Sequence, residues 1–159
     1  MHKLLGQLAG LCAVLAGALL TVITVMTCLS VLGRNTTGTT LVGDFELTGV
    51  AAGAAIALFL PWCQHRRGNI IVDFFTSRAS ARTTAALDRV GALLLALAVG
   101  LLAWRTILGG LSAWKTQSAT MMLGFPEWIV YCFMVPPLLL TALIALWQAL
   151  AGFETEGHA

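Results

Sequence analysis

The 159-residue sequence is 58% apolar and only 10% charged, with a formal net charge of +2 and a mean hydropathy of +0.89. A soluble domain carries about 25% charged residues, so the composition points to a membrane protein and leaves no basic field for nucleic acid. The length allows one domain, residues 1–159, with no room for a large soluble catalytic lobe beside several membrane spans.

The first uncharged run extends from Leu4 to Gly33, between Lys3 and Arg34. About 20 residues cross the hydrocarbon as a helix, and this run is longer than the roughly 7–15 apolar residues of a cleaved signal peptide. Ala16-Gly17-Ala18 resembles a cleavage site, but apolar sequence continues beyond it. The second run, Leu47 to Gln64, is just long enough to span, with Pro61 near its end. The third run extends from about Leu87 to Trp114 and contains Arg105. The fourth runs from Trp128 to Phe153, with Pro136 and Pro137 inside it; a kink there is expected rather than two half-spans. The expected spans are therefore residues 4–33, 47–64, 87–114 and 128–153. Transmembrane strands would alternate apolar and polar residues, and these runs are apolar all round, so the fold class is all-α with four transmembrane helices.

The connection from His65 to Arg89 holds Arg66, Arg67, Arg78, Arg82 and Arg89 against Asp73 and Asp88. The other connections are poor in cations, so the positive-inside rule places the middle connection in the cytoplasm, with both termini also inside. Trp62, Trp114, Trp128 and Trp147 fall near span ends, as an interfacial aromatic belt requires; Trp104 lies deeper. Within residues 68–84, Ile70, Ile71, Phe74 and Phe75 recur at helical spacing, with Arg66, Arg67, Asp73, Arg78 and Arg82 around them. This segment reads either as a short amphipathic helix on the inner membrane surface or as a loop with a hydrophobic plug against the bundle. Small residues recur every fourth position at Gly6 and Gly10, at Ala9, Ala13 and Gly17, at Gly49, Gly53 and Ala57, and at Ala92, Ala96 and Gly100. Such stripes let helix backbones approach closely.

An ionisable residue inside a span is a functional-site candidate. Arg105 alone qualifies. Counted from Arg89 it lies about 24 Å along the helix, near the outer edge of a ~30 Å core. There it either snorkels to the outer headgroups or pairs with Glu46, with Glu127 or with a partner protein. Cys12, Cys28, Cys63 and Cys132 form no CxxC pair and read as small apolar residues. His2, His65 and His158 lie at span ends or termini, whereas a haem-binding bundle needs axial histidines inside. No metal-ligand cluster, phosphate loop or nucleophile–histidine set is present, so neither an enzyme nor a cofactor is expected. A self-sufficient small exporter or channel is the first rival reading, but it would need a membrane-buried carboxylate, and no span has one. An anchoring subunit of another membrane complex is the second.

The order of features carries a resemblance. Arg34 closes the first span, and Asp44-Phe45-Glu46-Leu47 opens the second. That span leads into His65-Arg66-Arg67-Gly68-Asn69-Ile70-Ile71-Val72-Asp73. Leu87-Asp88-Arg89 opens the third, and Pro126-Glu127-Trp128 opens a proline-bearing fourth. From about Leu4 to Leu150 the chain resembles the small membrane subunit of tripartite ATP-independent periplasmic (TRAP) transporters, the DctQ-like family. Asn69 stands where that family often has histidine. The resemblance implies a scaffold subunit of the bacterial inner membrane, packed against a large membrane subunit that binds substrate and sodium. A periplasmic binding protein delivers the solute, typically an organic acid. It also implies four tilted helices plus a surface helix near the middle connection, in contact with phospholipid. Arg34, Asp44, Glu46, Lys115 and Glu127, at the predicted outer side, are the candidate contacts to the partner subunit or periplasmic protein, together with Arg105. Glu46 and Glu127 also suit helix N-termini in their own right.

Overall fold

A backbone inside lipid must satisfy its own N–H and C=O groups, and a helix does so within one segment. Each apolar run is accordingly helical. The computed structural model describes residues 2–36, 38, 42–66, 68 and 81–151. Its elements are α1 (His2–Thr36), α2 (Asp44–His65), α3 (Ala81–Thr116) and α4 (Glu127–Ala151). All four are long and apolar enough to cross a membrane, and the described residues contain no strand, only an isolated bridge between Ala119 and Pro126.

The helices end where the charges begin, with one exception. α3 starts six residues before the expected span, so residues 81–84 of the expected surface segment belong to it. Ile70, Ile71, Phe74, Phe75 and Arg78 lie outside the described residues. The backbone of Arg82 is part of α3. At 35 and 36 residues, α1 and α3 are about 52–54 Å long and outreach the ~30 Å hydrocarbon. The 22 residues of α2 and the 25 of α4 match it more closely.

Hydroxyls inside the apolar helices are satisfied locally. Thr21, Thr24 and Thr27 donate to the carbonyls of Gly17, Leu20 and Ile23 at 2.8–2.9 Å, the i−4 pattern by which threonine avoids an unpaired group. In α4, Pro136 and Pro137 deprive the preceding turn of two helical donors, yet the helix runs on unbroken. Buried Thr141 donates back to the Pro137 carbonyl at 2.8 Å.

The helices stand in a row, α1–α2–α4–α3, with a slight contact between α1 and α4. Among the described residues, α3 packs on α4 alone. Only 17% of the spanning windows of α1 and α3 is buried, against 28% for α2 and α4, so the end helices expose most of their apolar surface. Packing runs along seams of small side chains. On α1 the buried positions are Ala9, Ala16, Ile23 and Ser30, seven residues apart, the spacing that keeps one line of a helix against a partner. On α3 they include Ala96 and Ala103, and seven residues further Gly110 admits Tyr131: a Cβ there would stand 2.9 Å from the Tyr131 Cβ. α4 answers with Leu138, Thr141, Ile144 and Ala145, and α2 buries Ala51, Ala54, Ala55, Ala57 and Pro61.

The four-residue stripes behave differently from one another. Gly6 lies against the His65 ring and Gly10 against Trp62, so α1 starts where α2 ends. Gly17, Gly49, Gly53 and Gly100 have no described neighbour within 4 Å of a Cβ. The glycine stripe of α2 therefore plays no part in packing among the described residues, and its alanines do that work.

Candidate subunit-docking surfaces

Two polar clasps hold the row in register. At the α1–α2 corner, Ser30, the last member of the α1 seam and 3% exposed, donates its hydroxyl to the Asp44 carboxylate. Two residues on, Glu46 accepts the backbone N–H groups of Met122 at 2.9 Å and Leu123 at 3.2 Å. These belong to a tight reverse turn between α3 and α4. In it the Thr120 N–H meets the Phe125 carbonyl at 3.0 Å, the Thr120 hydroxyl accepts the Phe125 N–H at 3.1 Å, and the Glu127 N–H meets the Ser118 carbonyl at 3.0 Å. Gly43 makes the closure possible. It is left-handed, with φ 77°, and a Cβ there would lie 2.4 Å from the Leu123 Cγ. Asp44 and Glu46 lie in the first turn of α2, where negative charge suits the dipole.

This clasp presents an apolar rim. Met121 is fully exposed and Phe45 is 87% exposed, with Val42 and Met122 beside them in the chain. Close by, Trp114 and Trp128 meet edge to face, ring centroids 4.7 Å apart at 81°. Below them an apolar groove of about 440 Å³ runs between α3 and α4, lined by Ile107, Leu111, Tyr131 and Val135 among others.

The second clasp joins the other ends of α2 and α4. Gln64, nearly buried, donates through Nε2 to Gln148 Oε1 at 2.7 Å, and Gln148 Nε2 returns a bond to the Gln64 carbonyl at 3.1 Å. The adjacent α2 terminus closes with the Gly68 N–H on the Cys63 carbonyl at 2.8 Å, a six-to-one capping bond. The Arg66 guanidinium covers Trp62, 4.9 Å from the ring centroid, a cation–π contact. Neither glutamine stood out in the sequence, because a neutral amide interrupts an apolar run without marking it as charged. Each occupies a position where a membrane helix needs a polar partner, and that was the available signal.

Of the six candidate contact residues, the fold gathers Asp44 and Glu46 into the first clasp. Glu127 starts α4, its N–H engaged by Ser118. Arg34 and Lys115 stand exposed in the last turns of α1 and α3, where cations suit the dipole. Arg105 is exposed on α3 and forms no ion pair with Glu46, Glu127 or any other described residue. The helix also continues for another eleven residues, to Thr116. Along the helix Arg105 stands about 15 Å from Lys115 and about 24 Å from Arg89.

A family model for "Tripartite ATP-independent periplasmic transporters, DctQ component" matches residues 23–155. No curated protein and no solved structure matches the chain.

Proposed function

The chain belongs to the DctQ component family of tripartite ATP-independent periplasmic transporters, and from that premise we propose that it is a non-catalytic scaffold subunit of such a transporter. Its partners are a large membrane subunit and a periplasmic binding protein, and the assembly takes up an organic acid, coupled to sodium, across the bacterial inner membrane. The observation that carries this reading is the row of helices. Its two end helices expose long apolar faces, α1 through Leu4, Leu11, Val22 and Leu29 and α3 through Leu94, Leu97 and Leu101, while the polar clasps fix the row from within. A row held rigid by its own hydrogen bonds and apolar on its flanks is suited to widening the static part of a larger membrane body.

In this reading the basic middle connection lies in the cytoplasm with both termini, and the Glu46 clasp with its Met121 and Phe45 rim lies on the periplasmic side. Arg34, Asp44, Glu46, Lys115 and Glu127 surround the outer face that meets the periplasmic protein or the large subunit.

The test is uptake of radiolabelled organic acids by cells that carry the large subunit and binding protein, with and without this chain. Sodium-dependent uptake that appears only when the chain is present supports the reading. Uptake at the same rate without it refutes a required scaffold role.

A further inference from the structure

Arg105 is the only Asp, Glu, Lys or Arg between Arg89 and Lys115 of α3. Those two cations are separated by about 39 Å of helix, close to the ~40–45 Å of a bilayer with its headgroups. Arg105 falls three residues, or about 5 Å, from the midpoint between them. The Lys115 level is about 15 Å away, and an arginine side chain falls well short of that. Snorkelling therefore leaves the guanidinium inside the hydrocarbon, where a lone cation is costly.

Its direction is as informative as its depth. α3 turns about 100° per residue, so Arg105 lies about 200° round from Ala103, which is buried on the side that meets α4, the sole helix packed on α3 among the described residues. Leu94, Leu101 and Leu108, all exposed, share the Arg105 side. So do Gly91, Ala98 and Ser112, spaced seven residues apart in register with Arg105 and all exposed. The same seven-residue spacing, through Ala96, Ala103 and Gly110, is what α3 uses against α4. α3 thus carries a second small-residue line on its opposite flank, with one unpaired cation at its middle.

We propose that this flank of α3 docks against a membrane helix of a different protein, and that this helix supplies an aspartate or glutamate to Arg105. A second copy of this chain does not meet the need, because none of its seven acids (Asp44, Glu46, Asp73, Asp88, Glu127, Glu154 and Glu156) falls inside the uncharged apolar runs. An arginine–carboxylate pair inside lipid is a directional, two-pronged contact. It fixes the register of one helix on another, and the small residues at 91, 98 and 112 allow the backbones to come close. The inference rests on the proposed scaffold role, and it names the surface by which that role is performed.

The experiment uses the tagged full chain in its native membrane, extracted in mild detergent. Wild type, Arg105→Lys and Arg105→Glu are compared for the large polytopic protein that follows them. Separately, benzoylphenylalanine replaces Arg105 and is photo-crosslinked. The proposal expects Arg105→Glu to lower recovery of the large protein by about tenfold or more, as breaking a buried charge pair does. Arg105→Lys, which keeps the charge but loses the two-pronged geometry, should fall between wild type and Arg105→Glu, and the crosslinker should join a partner peptide that contains a membrane-embedded acid. Unchanged recovery with Arg105→Glu, or a crosslinker that captures only phospholipid, overturns it. If the wild type itself brings down no large membrane protein, the scaffold reading fails first and this inference falls with it.

Discussion

The carboxylate of Glu46, at the start of α2, receives the backbone N–H of Met122, 76 residues further along the chain, at 2.9 Å. That bond and its neighbour to Leu123 moor the α3–α4 turn to α2. The Ser30 bond to Asp44 moors α1 to the same place. Glu46 therefore acts within the chain before it acts on any partner. Glu46→Ala is expected to speed amide hydrogen exchange at Met122 and Leu123 and to lower the thermal unfolding midpoint in detergent. Glu46→Gln, which keeps one acceptor oxygen, should lose less. Exchange unchanged in both variants would show that the turn holds itself.

Gly43 is required twice, by its left-handed backbone and by the Leu123 side chain pressed against it. Gly43→Ala should destabilise the protein by about 1–3 kcal/mol, the range for a non-glycine residue held in an unfavourable region. Gly17→Ala, on α1 with open space around it, is the control and should be neutral or slightly stabilising, because alanine is the better helix former. Equal behaviour of the two would refute the tight approach of α2 to the turn.

The Gln64–Gln148 pair offers a double-mutant cycle. Interhelical side-chain bonds in membranes average about 0.6 kcal/mol and reach about 1.7. Gln64 donates its side-chain amide to Gln148 Oε1 at 2.7 Å, whereas the return bond goes to the Gln64 backbone carbonyl, which Gln64→Ala leaves in place, so the coupling reports the one side-chain bond and should fall within that range. The measurement is unfolding in mixed micelles of Gln64→Ala, Gln148→Ala and the double variant. Additive effects would mean that the two amides do not hold α2 to α4.

Topology is testable with single cysteines and a membrane-impermeant maleimide. Met121→Cys, at the fully exposed tip of the α3–α4 turn, should label from outside intact spheroplasts. Arg78→Cys should label only after the membrane is opened. The reverse pattern would invert the assigned orientation.

Much of the helical plan was legible because charges mark where lipid ends: Lys3 and Arg34 around α1, Glu46 and His65 around α2. α3 was the exception at both ends of the argument. Its start at Ala81 was missed because Arg82, Thr83 and Thr84 lower hydropathy without breaking a helix, and a helix that leaves the membrane looks like a loop to a hydropathy count. The depth of Arg105 depends on the end of α3 from which it is counted, about 24 Å from Arg89 and about 15 Å from Lys115. Of the α2 stripe Gly49, Gly53 and Ala57, only Ala57 is buried among the described residues, whereas the seven-residue line Ala9–Ala16–Ile23–Ser30 marks the α1 seam. The polar clasps were not legible. Gln64 and Gln148 are 84 residues apart, and nothing local says that they meet. Nor does the sequence reveal the row order, which decides that no described helix covers the Arg105 flank of α3.

The central claim, a scaffold subunit within a larger transporter, is tested most directly by mild-detergent purification of the tagged chain from its native membrane, with mass spectrometry of everything that follows it. The account predicts one much larger protein with about a dozen membrane spans, in constant ratio to the chain across gel filtration. Recovery of the chain alone, or in company with redox proteins, would contradict it.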